Sequence, residues 1–180
     1  MIGLHPLISG FLFMESTYIQ KNLINFFRNF DYKLCNSYVF GWESDFFAIS
    51  KSKYCIEVEI KISKSDFKAD FYKTTKQGIN KHDYLKDKNK FHKPNKFYFS
   101  FPSGLIDINS IPPHYGIIEC FDKGYCKIIR PAKFLHKEKL FKSNVFLKSL
   151  MNKFYYRYLY IKEKVNLREH QLRFGQKQLF

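Results

Sequence analysis

The chain has few cysteines and no long apolar run, and each scarcity excludes a class of protein. Four cysteines in 180 residues, with no CxxC pair, do not make a disulfide scaffold, so we expect buried free thiols and a reducing compartment. No apolar run reaches 18 residues, which excludes a candidate membrane span. The apolar start lacks the basic region and the cleavage site of a signal peptide. We therefore expect residues 1–14 to be a loose extension, or an upstream start that is rarely used.

Acidic residues are scarce relative to basic ones. The sequence contains 16 Asp and Glu against 31 Lys and Arg, a formal net charge of +15. Such an excess predicts attraction to polyanions, which are nucleic acids or anionic membrane surfaces. Apolar residues make up 45% of the chain, which excludes a disordered protein, and the length suits one compact domain.

Histidine pairs with metal-ligand spacing are absent as well. None of the six histidines forms an HxH or HExxH pattern. We expect each of them, His82 included, to be a surface or loop residue rather than a ligand.

Hydrophobic periodicity predicts an alternation of helices and strands. Residues 54–62 alternate strictly between apolar and polar side chains, which is typical of a strand. The full predicted order is a helix over 15–30, strands over 38–50 and 54–62 joined as a hairpin, a helical segment over 63–90, a strand over 97–101, two short strands around a turn at 122–124, and a helical segment over 133–174. This order predicts an α/β domain in which a mixed sheet is flanked by helices.

Basic residues concentrate toward the end of the chain. Residues 130–180 contain 13 Lys and Arg against 3 Glu. No internal repeat or low-complexity linker interrupts the sequence. We predict one domain over 15–135, followed by a basic helical tail over 136–180.

The polar residues on the predicted hairpin carry the most functional information. Glu57, Glu59 and Lys61 project from one face of an otherwise apolar strand, and Asp45 lies on the neighbouring strand. Gathering carboxylates costs repulsion and desolvation unless a divalent cation neutralises them. Hard oxygen ligands suit Mg²⁺ or Mn²⁺, and a nearby lysine suits phosphodiester hydrolysis. The competing interpretation is a solvated strand face with cross-strand salt bridges.

These residues resemble the PD-(D/E)XK nuclease superfamily, in which an acidic residue precedes an E-x-K strand. Here the pattern is Asp45 followed by Glu59-Ile60-Lys61, with a predicted helix on either side. The segment 59–70, EIKISKSDFKAD, is similar to the E-I-K-x-S-x-x-D-F-x-x-D motif of the MmcB-like DNA-repair family. The similarity covers about 40–135 and departs from the family in the long, lysine-rich stretch 71–96.

The resemblance implies a restriction-endonuclease-like core and assigns roles to individual residues. Asp45 and Glu59 would be metal ligands, and Lys61 would be the catalytic lysine. Glu15 on the first helix and Glu43 beside Asp45 are further ligand candidates. Residues expected to contact nucleic acid are Lys64, Lys68, Lys73, Lys76, Lys81 and Tyr84.

Asp66 and Asp70 have a structural interpretation of their own. They are four residues apart and would repel each other on one helix face unless they are paired. We expect Ser63 or Ser65 to cap the helix, Asp66 to favour its N-terminus, and Asp70 to pair with Lys73 or with a basic residue of the tail. We prefer this interpretation to a second metal site.

The leading functional hypothesis is a Mg²⁺- or Mn²⁺-dependent DNA endonuclease in repair, recombination or phage DNA processing. RNA remains open as a substrate, as does a homodimer, and the expected location is the cytoplasm of a bacterial or phage-infected cell. A non-catalytic nucleic-acid-binding module of the same fold is the alternative. A peripheral membrane protein that uses its aromatic-basic tail is a third hypothesis, although the tail segregates polar and apolar residues poorly.

Overall fold

The structure is a computed structural model that describes residues 14–140 and 144–177. Two compact units divide at Leu140, and each is described by itself. The elements of the first unit are α1 (Ser16–Phe26), β1 (Tyr32–Ser37), β2 (Ser44–Ile49), β3 (Cys55–Ile60), α2 (Lys64–Asp70), α3 (Lys81–Lys86), β4 (Lys96–Pro102), a 3₁₀ turn (Ile108–Ser110), β5 (Gly116–Cys120) and β6 (Cys126–Arg130). The second unit contains α4 (Asn144–Lys177).

The six strands form one mixed sheet in sequence order, β1-β2-β3-β4-β5-β6. The pairs β1–β2, β2–β3 and β5–β6 are antiparallel, whereas β3–β4 and β4–β5 are parallel. The connection from β3 to β4 carries α2 and α3, because parallel neighbours need a crossover. The prediction of a mixed sheet flanked by helices is therefore confirmed.

One face of the sheet is an apolar core covered by α1. Strand positions such as Phe46, Val58 and Ile118 are fully buried there against Ile19 and Leu23 of the helix. Met14 belongs to the same core, so the expected loose extension cannot include that residue. Residues 1–13 lie outside the described part of the chain.

The opposite face is covered by α2 and α3 and combines aromatic rings with charged groups. Phe67 of α2 packs edge-on against Phe99 of β4, with ring centroids 5.2 Å apart. His82 of α3 stacks on Phe71 at 4.6 Å. Glu57 and Glu59 lie on this face because they alternate with the core residues of β3.

Two predicted elements differ from the structure. The predicted strand 38–50 begins only at Ser44, and β1 at Tyr32–Ser37 was not predicted at all. The predicted helical segment 63–90 is two short helices, because Gly78 adopts a φ of +76° between them and Asn80 caps α3 with its side chain.

The end of the chain departs from prediction only at its boundary. Helix α4 begins at Asn144 rather than near residue 133. The preceding segment belongs to the first unit, because Asn95 Nδ2 donates to the carbonyl oxygens of His136 and Glu138 at 3.1 and 2.8 Å. In the part of the chain that the structure describes, no helix is long and apolar enough to cross a bilayer.

The two short strands before that boundary pair as predicted. The turn at 122–124 joins them, and Gly124 there has a φ of +80°. Cys120 and Cys126 face each other in the register and, like the chain's other two cysteines, are free thiols.

Candidate active site

The β2–β3 hairpin places Asp45 and Glu59 on the same face of the sheet. The register pairs Phe46 with Val58, so Asp45 lies opposite Glu59 one position further along. The backbone N–H of Ile60 donates to Asp45 Oδ2 at 2.8 Å and fixes that side chain at the end of β3. The structure thus brings together the two carboxylates that the sequence singled out.

Glu59 is fully buried and is surrounded by three ammonium groups. Its Oε2 accepts from Lys61 Nζ at 3.3 Å and from Lys73 Nζ at 3.0 Å. Its Oε1 accepts from Lys81. Burial raises the pKa of Glu59, but the lysine charges, Lys81 first, outweigh burial and lower it below the ordinary value.

Helix α2 contributes Asp70, a buried carboxylate that positions Lys61. Asp70 Oδ1 accepts from Lys61 Nζ at 2.6 Å and forms a salt bridge with Lys73 Nζ at 2.8 Å. Ser63 Oγ accepts from the N–H of Asp66 and begins the helix that presents Asp70. The predicted cap and the predicted Asp70–Lys73 pair are therefore confirmed.

Asp70 also belongs to a chain of hydrogen bonds that continues through His82 to Tyr115. His82 Nε2 lies 2.9 Å from Asp70 Oδ2, and His82 Nδ1 lies 2.8 Å from the hydroxyl of Tyr115. Burial raises the pKa of Asp70, but the His82 hydrogen bond and the lysine charges hold it far below the ordinary value. His82 is buried on α3, so the expectation that it lies on the surface or in a loop is wrong.

Lys81 is the buried counter-charge for both glutamates of β3. Its Nζ lies 2.9 Å from Glu57 Oε1 and also pairs with Glu59. The indole N–H of Trp42 donates to Glu57 Oε1 at 2.7 Å. Lys81 is 1% exposed, so the expectation that it contacts a nucleic-acid backbone does not fit its placement. It was predicted as a surface residue because the whole segment around it is lysine-rich.

Negative charge remains in surplus in this cluster. Four acidic groups, Asp45, Glu57, Glu59 and Asp70, surround the three ammonium groups of Lys61, Lys73 and Lys81. Burial, reinforced by the charge of Glu59, raises the pKa of Asp45 to about 7. Glu57 Oε2 is buried with no hydrogen-bond partner among the described residues.

Asp45 and Glu59 are the two carboxylates that could hold a divalent cation, although both oxygens of Glu59 already accept from lysines. A cation there would stabilise the ionised form of Asp45, whose pKa is raised first by burial and second by the charge of Glu59. Mg²⁺ needs only one or two carboxylates, with water and phosphate oxygens as its remaining ligands. Among residues 14–140 and 144–177, no three His, Cys, Asp or Glu side chains form a ligand group by themselves.

The two further ligand candidates lie outside this cluster. Glu15 is exposed at the N-cap of α1 and accepts a hydrogen bond from Thr17. Glu43 is exposed and precedes β2, so it is not on the strand as predicted, but it lines the same cavity as Asp45. The residue of α1 that reaches Asp45 is Gln20, whose Nε2 donates to the Asp45 carbonyl oxygen at 3.2 Å.

The remaining candidates for nucleic-acid contact lie around this site. Lys64 and Lys68 are exposed on α2, Lys76 is exposed in the loop after it, and Tyr84 is half-buried on α3. Lys73 is half-exposed in spite of its two carboxylate partners. These placements leave every one of the predicted contact residues except Lys81 accessible to a ligand.

Asp45 is reached from solvent by two openings. A cavity of about 430 Å³ is bounded by Asp45, Lys73 and the loop that holds Trp42. A second cavity, of about 260 Å³, lies between Asp45, Lys61 and the start of α1. The acidic residue at the edge of the cluster is therefore accessible, whereas Glu59 behind it is sealed.

The chain resembles one solved structure in its overall arrangement. It is similar to a protein of unknown function from Silicibacter pomeroyi, with a TM-score of 0.57 and 15% identity over 85% of this chain and 92% of that one. No protein-family model and no curated protein matches the sequence. At this identity the likeness shows the fold alone, a six-stranded mixed sheet flanked by helices.

Proposed function

We propose that this protein is a metal-dependent DNA endonuclease with a restriction-endonuclease-like core. The observation that carries the proposal is the placement of Asp45 and Glu59 on one face of adjacent strands, with Lys61 beside them. A buried cluster of this kind costs desolvation free energy, and replacing one with apolar residues often stabilises a protein. A catalytic role is therefore a better explanation of the cluster than a stabilising one.

The metal site would consist of Asp45 and Glu59. A bound Mg²⁺ or Mn²⁺ would polarise the scissile phosphate and lower the pKa of a bound water. Lys73 is the half-exposed member of the cluster, so it is the ammonium group that can leave Glu59 when a divalent cation arrives.

The chain's own residues would orient the reaction and stabilise its charge. In hydrolysis the oxygen of water forms a new P–O bond as the scissile P–O bond breaks, so one strand end keeps the phosphate. The other end leaves as an alkoxide, which becomes a hydroxyl by taking up the proton that the water loses. Lys61 is only 1% exposed, like Lys81, but unlike Lys81 it lines the smaller cavity beside Asp45. Its ammonium group, held at 2.6 Å by Asp70, would stabilise the negative charge that develops on the phosphoryl oxygens. Asp70, His82 and Tyr115 act as positioning residues because they hold Lys61 through a chain of hydrogen bonds.

Cleavage assays test the proposal directly. Supercoiled, single-stranded and branched DNA would be incubated with Mg²⁺, with Mn²⁺ or with EDTA. We expect metal-dependent cleavage that falls about 100-fold or more in Asp45→Asn and Lys61→Met. Lys51→Met, which removes an exposed lysine in the β2–β3 turn, is the matched control and should cleave like the wild type. Equal cleavage by Asp45→Asn would refute the assignment.

The alternative is a non-catalytic nucleic-acid-binding module of the same fold. It is favoured by one observation: both oxygens of Glu59 are already paired with lysines. Titration calorimetry with Mn²⁺ separates the two functions. Heat that disappears in Asp45→Asn supports the nuclease, whereas salt-sensitive DNA binding without any Mn²⁺ heat supports the module.

A further inference from the structure

Two adjoining cavities lie beside Asp45, between the loop 38–43 and the loop 73–79. They share the lining residues Gly41, Trp42, Thr75 and Lys76. The loops are tied to each other by the N–H of Lys76, which donates to the carbonyl oxygen of Gly41 at 2.9 Å. Asp45 lines the first of these two cavities but not the second.

The inner cavity, of about 250 Å³, has aromatic walls. It is lined by Phe40, Trp42, Tyr84 and His92, with the polar groups of Lys76 and Gln77 at its rim. The rings hold one another in place, since Trp42 contacts Tyr84 edge-on at 5.7 Å and Phe40 contacts His92 edge-on at 5.5 Å. The indole N–H of Trp42 also donates to Glu57. This hydrogen bond connects the aromatic wall of the cavity directly to the acidic cluster.

The outer cavity joins this aromatic wall to Asp45 and bears an exposed ring with a cation over it. Tyr38 is 48% exposed, and Lys76 Nζ lies 5.1 Å from the centre of its ring. An exposed ring beside an ammonium group is the combination that binds unpaired nucleotides, because bases stack on the ring and phosphates attract the charge.

We propose that these two cavities form a binding site for the unpaired nucleotides of single-stranded DNA next to the point of cleavage. This inference rests on the proposed nuclease function and deepens it by naming the substrate class. A base of the strand stacks on Tyr38, the neighbouring base enters the aromatic cavity, and Lys76 neutralises the phosphate between them. Bases in a duplex hide their faces in the stack, so an intact double helix cannot use either surface.

Binding measured in EDTA tests this site without any cleavage. The probe is a short single-stranded oligodeoxynucleotide that carries the fluorescent base 2-aminopurine, compared with the blunt duplex of the same sequence. We expect tighter binding of the single strand, together with quenching of 2-aminopurine where it stacks on Tyr38. Tyr38→Ala should weaken binding at least about fivefold and abolish the quenching. The matched control Tyr72→Ala removes a tyrosine that is 83% exposed and lies outside both cavities.

A second pair of variants tests the phosphate contact. Lys76→Ala should reduce the salt dependence of binding by about one phosphate, whereas the exposed Lys90→Ala should reduce it less. Tighter binding of the duplex, or unchanged quenching in Tyr38→Ala, would overturn the inference. A different result would refute the nuclease proposal alone. That result is Tyr38-dependent binding of the single strand with no metal-dependent cleavage of any DNA.

Discussion

The two faces of the sheet achieve burial in opposite ways. Beneath α1, strand residues such as Phe46, Val58 and Ile118 are buried with apolar neighbours alone. Beneath α2 and α3, the same strands bury Glu59 and Lys61 as deeply as any of those apolar residues. One face is stabilised by apolar area removed from water, whereas the other depends on each charge having its partner.

This difference indicates which face of the sheet is suited to a functional site. An apolar core tolerates exchanges of similar volume, because its contacts are not directional. The charged face is less tolerant, since the loss of the Lys81 ammonium group leaves Glu57 buried with Trp42 as its remaining hydrogen-bond donor. Asp45 is the one carboxylate of the four in this cluster that is accessible from solvent.

The largest loss of stability is expected when the buried ammonium group of Lys81 is removed. Lys81→Met leaves Glu57 and Glu59 facing each other with one counter-charge fewer. We expect a loss of about 3–5 kcal/mol in the free energy of unfolding, measured by urea denaturation. Ile118→Val on the apolar face should lose only about 0.5–1.5 kcal/mol.

A control for Lys81→Met is provided by an exposed lysine. Lys90→Met removes the same charge from a solvated position and should change the free energy of unfolding by less than about 0.5 kcal/mol. If Lys81→Met is no less stable than Ile118→Val, the two faces do not differ in the way described.

The next effect is the pH dependence that Asp45 contributes to stability, which the Asp45→Asn variant separates from that of the other buried carboxylates, Glu57 among them. The folded-state pKa of Asp45 is raised to about 7, so the folded protein binds that proton more tightly than the unfolded chain does. The stability contributed by Asp45 is therefore complete below pH 4 and is lost as the pH rises through 7. Relative to Asp45→Asn, the wild type should lose on the order of 2 kcal/mol between pH 4 and pH 8.

Urea denaturation at several pH values checks this prediction, with Glu43→Gln as the neighbouring exposed control. That variant should follow the wild type at every pH. Adding Mn²⁺ at pH 8 should raise the melting temperature of the wild type and leave Asp45→Asn unchanged, since only an ionised carboxylate binds the ion well. A constant difference between wild type and Asp45→Asn from pH 4 to pH 8 would contradict the linkage.

Local patterns in the sequence were sufficient to predict the hairpin and the acidic pair. Strict alternation over 54–62 predicts that Glu57, Glu59 and Lys61 share a face, and the short turn brings Asp45 beside them. The cap at Ser63 and the Asp70–Lys73 pair follow from local spacing as well. All of these relations join residues that are close in sequence or lie across one tight turn.

The rest of the site depends on contacts that sequence spacing does not encode. His82 and Tyr115 meet Asp70 only because α3 and the start of β5 converge on one face of the sheet. Lys81 resembles its exposed neighbours in sequence, and only the fold distinguishes it from them. Gly78 and Asn80 do indicate a break between α2 and α3. The polar composition of 63–90 nevertheless favours the prediction of one helical segment.

A smaller effect, on Mn²⁺ affinity, is expected at Lys73, which lies at the solvent-exposed edge of the charged face. Lys73 is the half-exposed cation that bridges Glu59 and Asp70, and it competes with any divalent ion for Glu59. Lys73→Met should therefore tighten Mn²⁺ binding by about threefold to tenfold, because a partly exposed ion pair contributes on the order of 1 kcal/mol. Calorimetry without DNA measures this directly. The control is Lys68→Met, on the exposed side of α2, which should leave the Mn²⁺ affinity unchanged. Weaker Mn²⁺ binding in Lys73→Met would contradict the prediction and show that Lys73 helps to hold the ion.

The smallest effect concerns how the charged face is assembled. Ser63 Oγ accepts from the N–H of Asp66 and begins a helix of only seven residues, yet that helix positions Asp70 against Lys61. Ser63→Ala should lower the free energy of unfolding by about 1 kcal/mol without changing the denaturant dependence. Ser16→Ala, at the exposed start of α1, provides the comparison, since the N-cap of α1 makes no side-chain hydrogen bond to the helix. Equal losses in the two serine variants would mean that the cap does not hold α2 in place, and that the ion pairs of Asp70 alone position the helix.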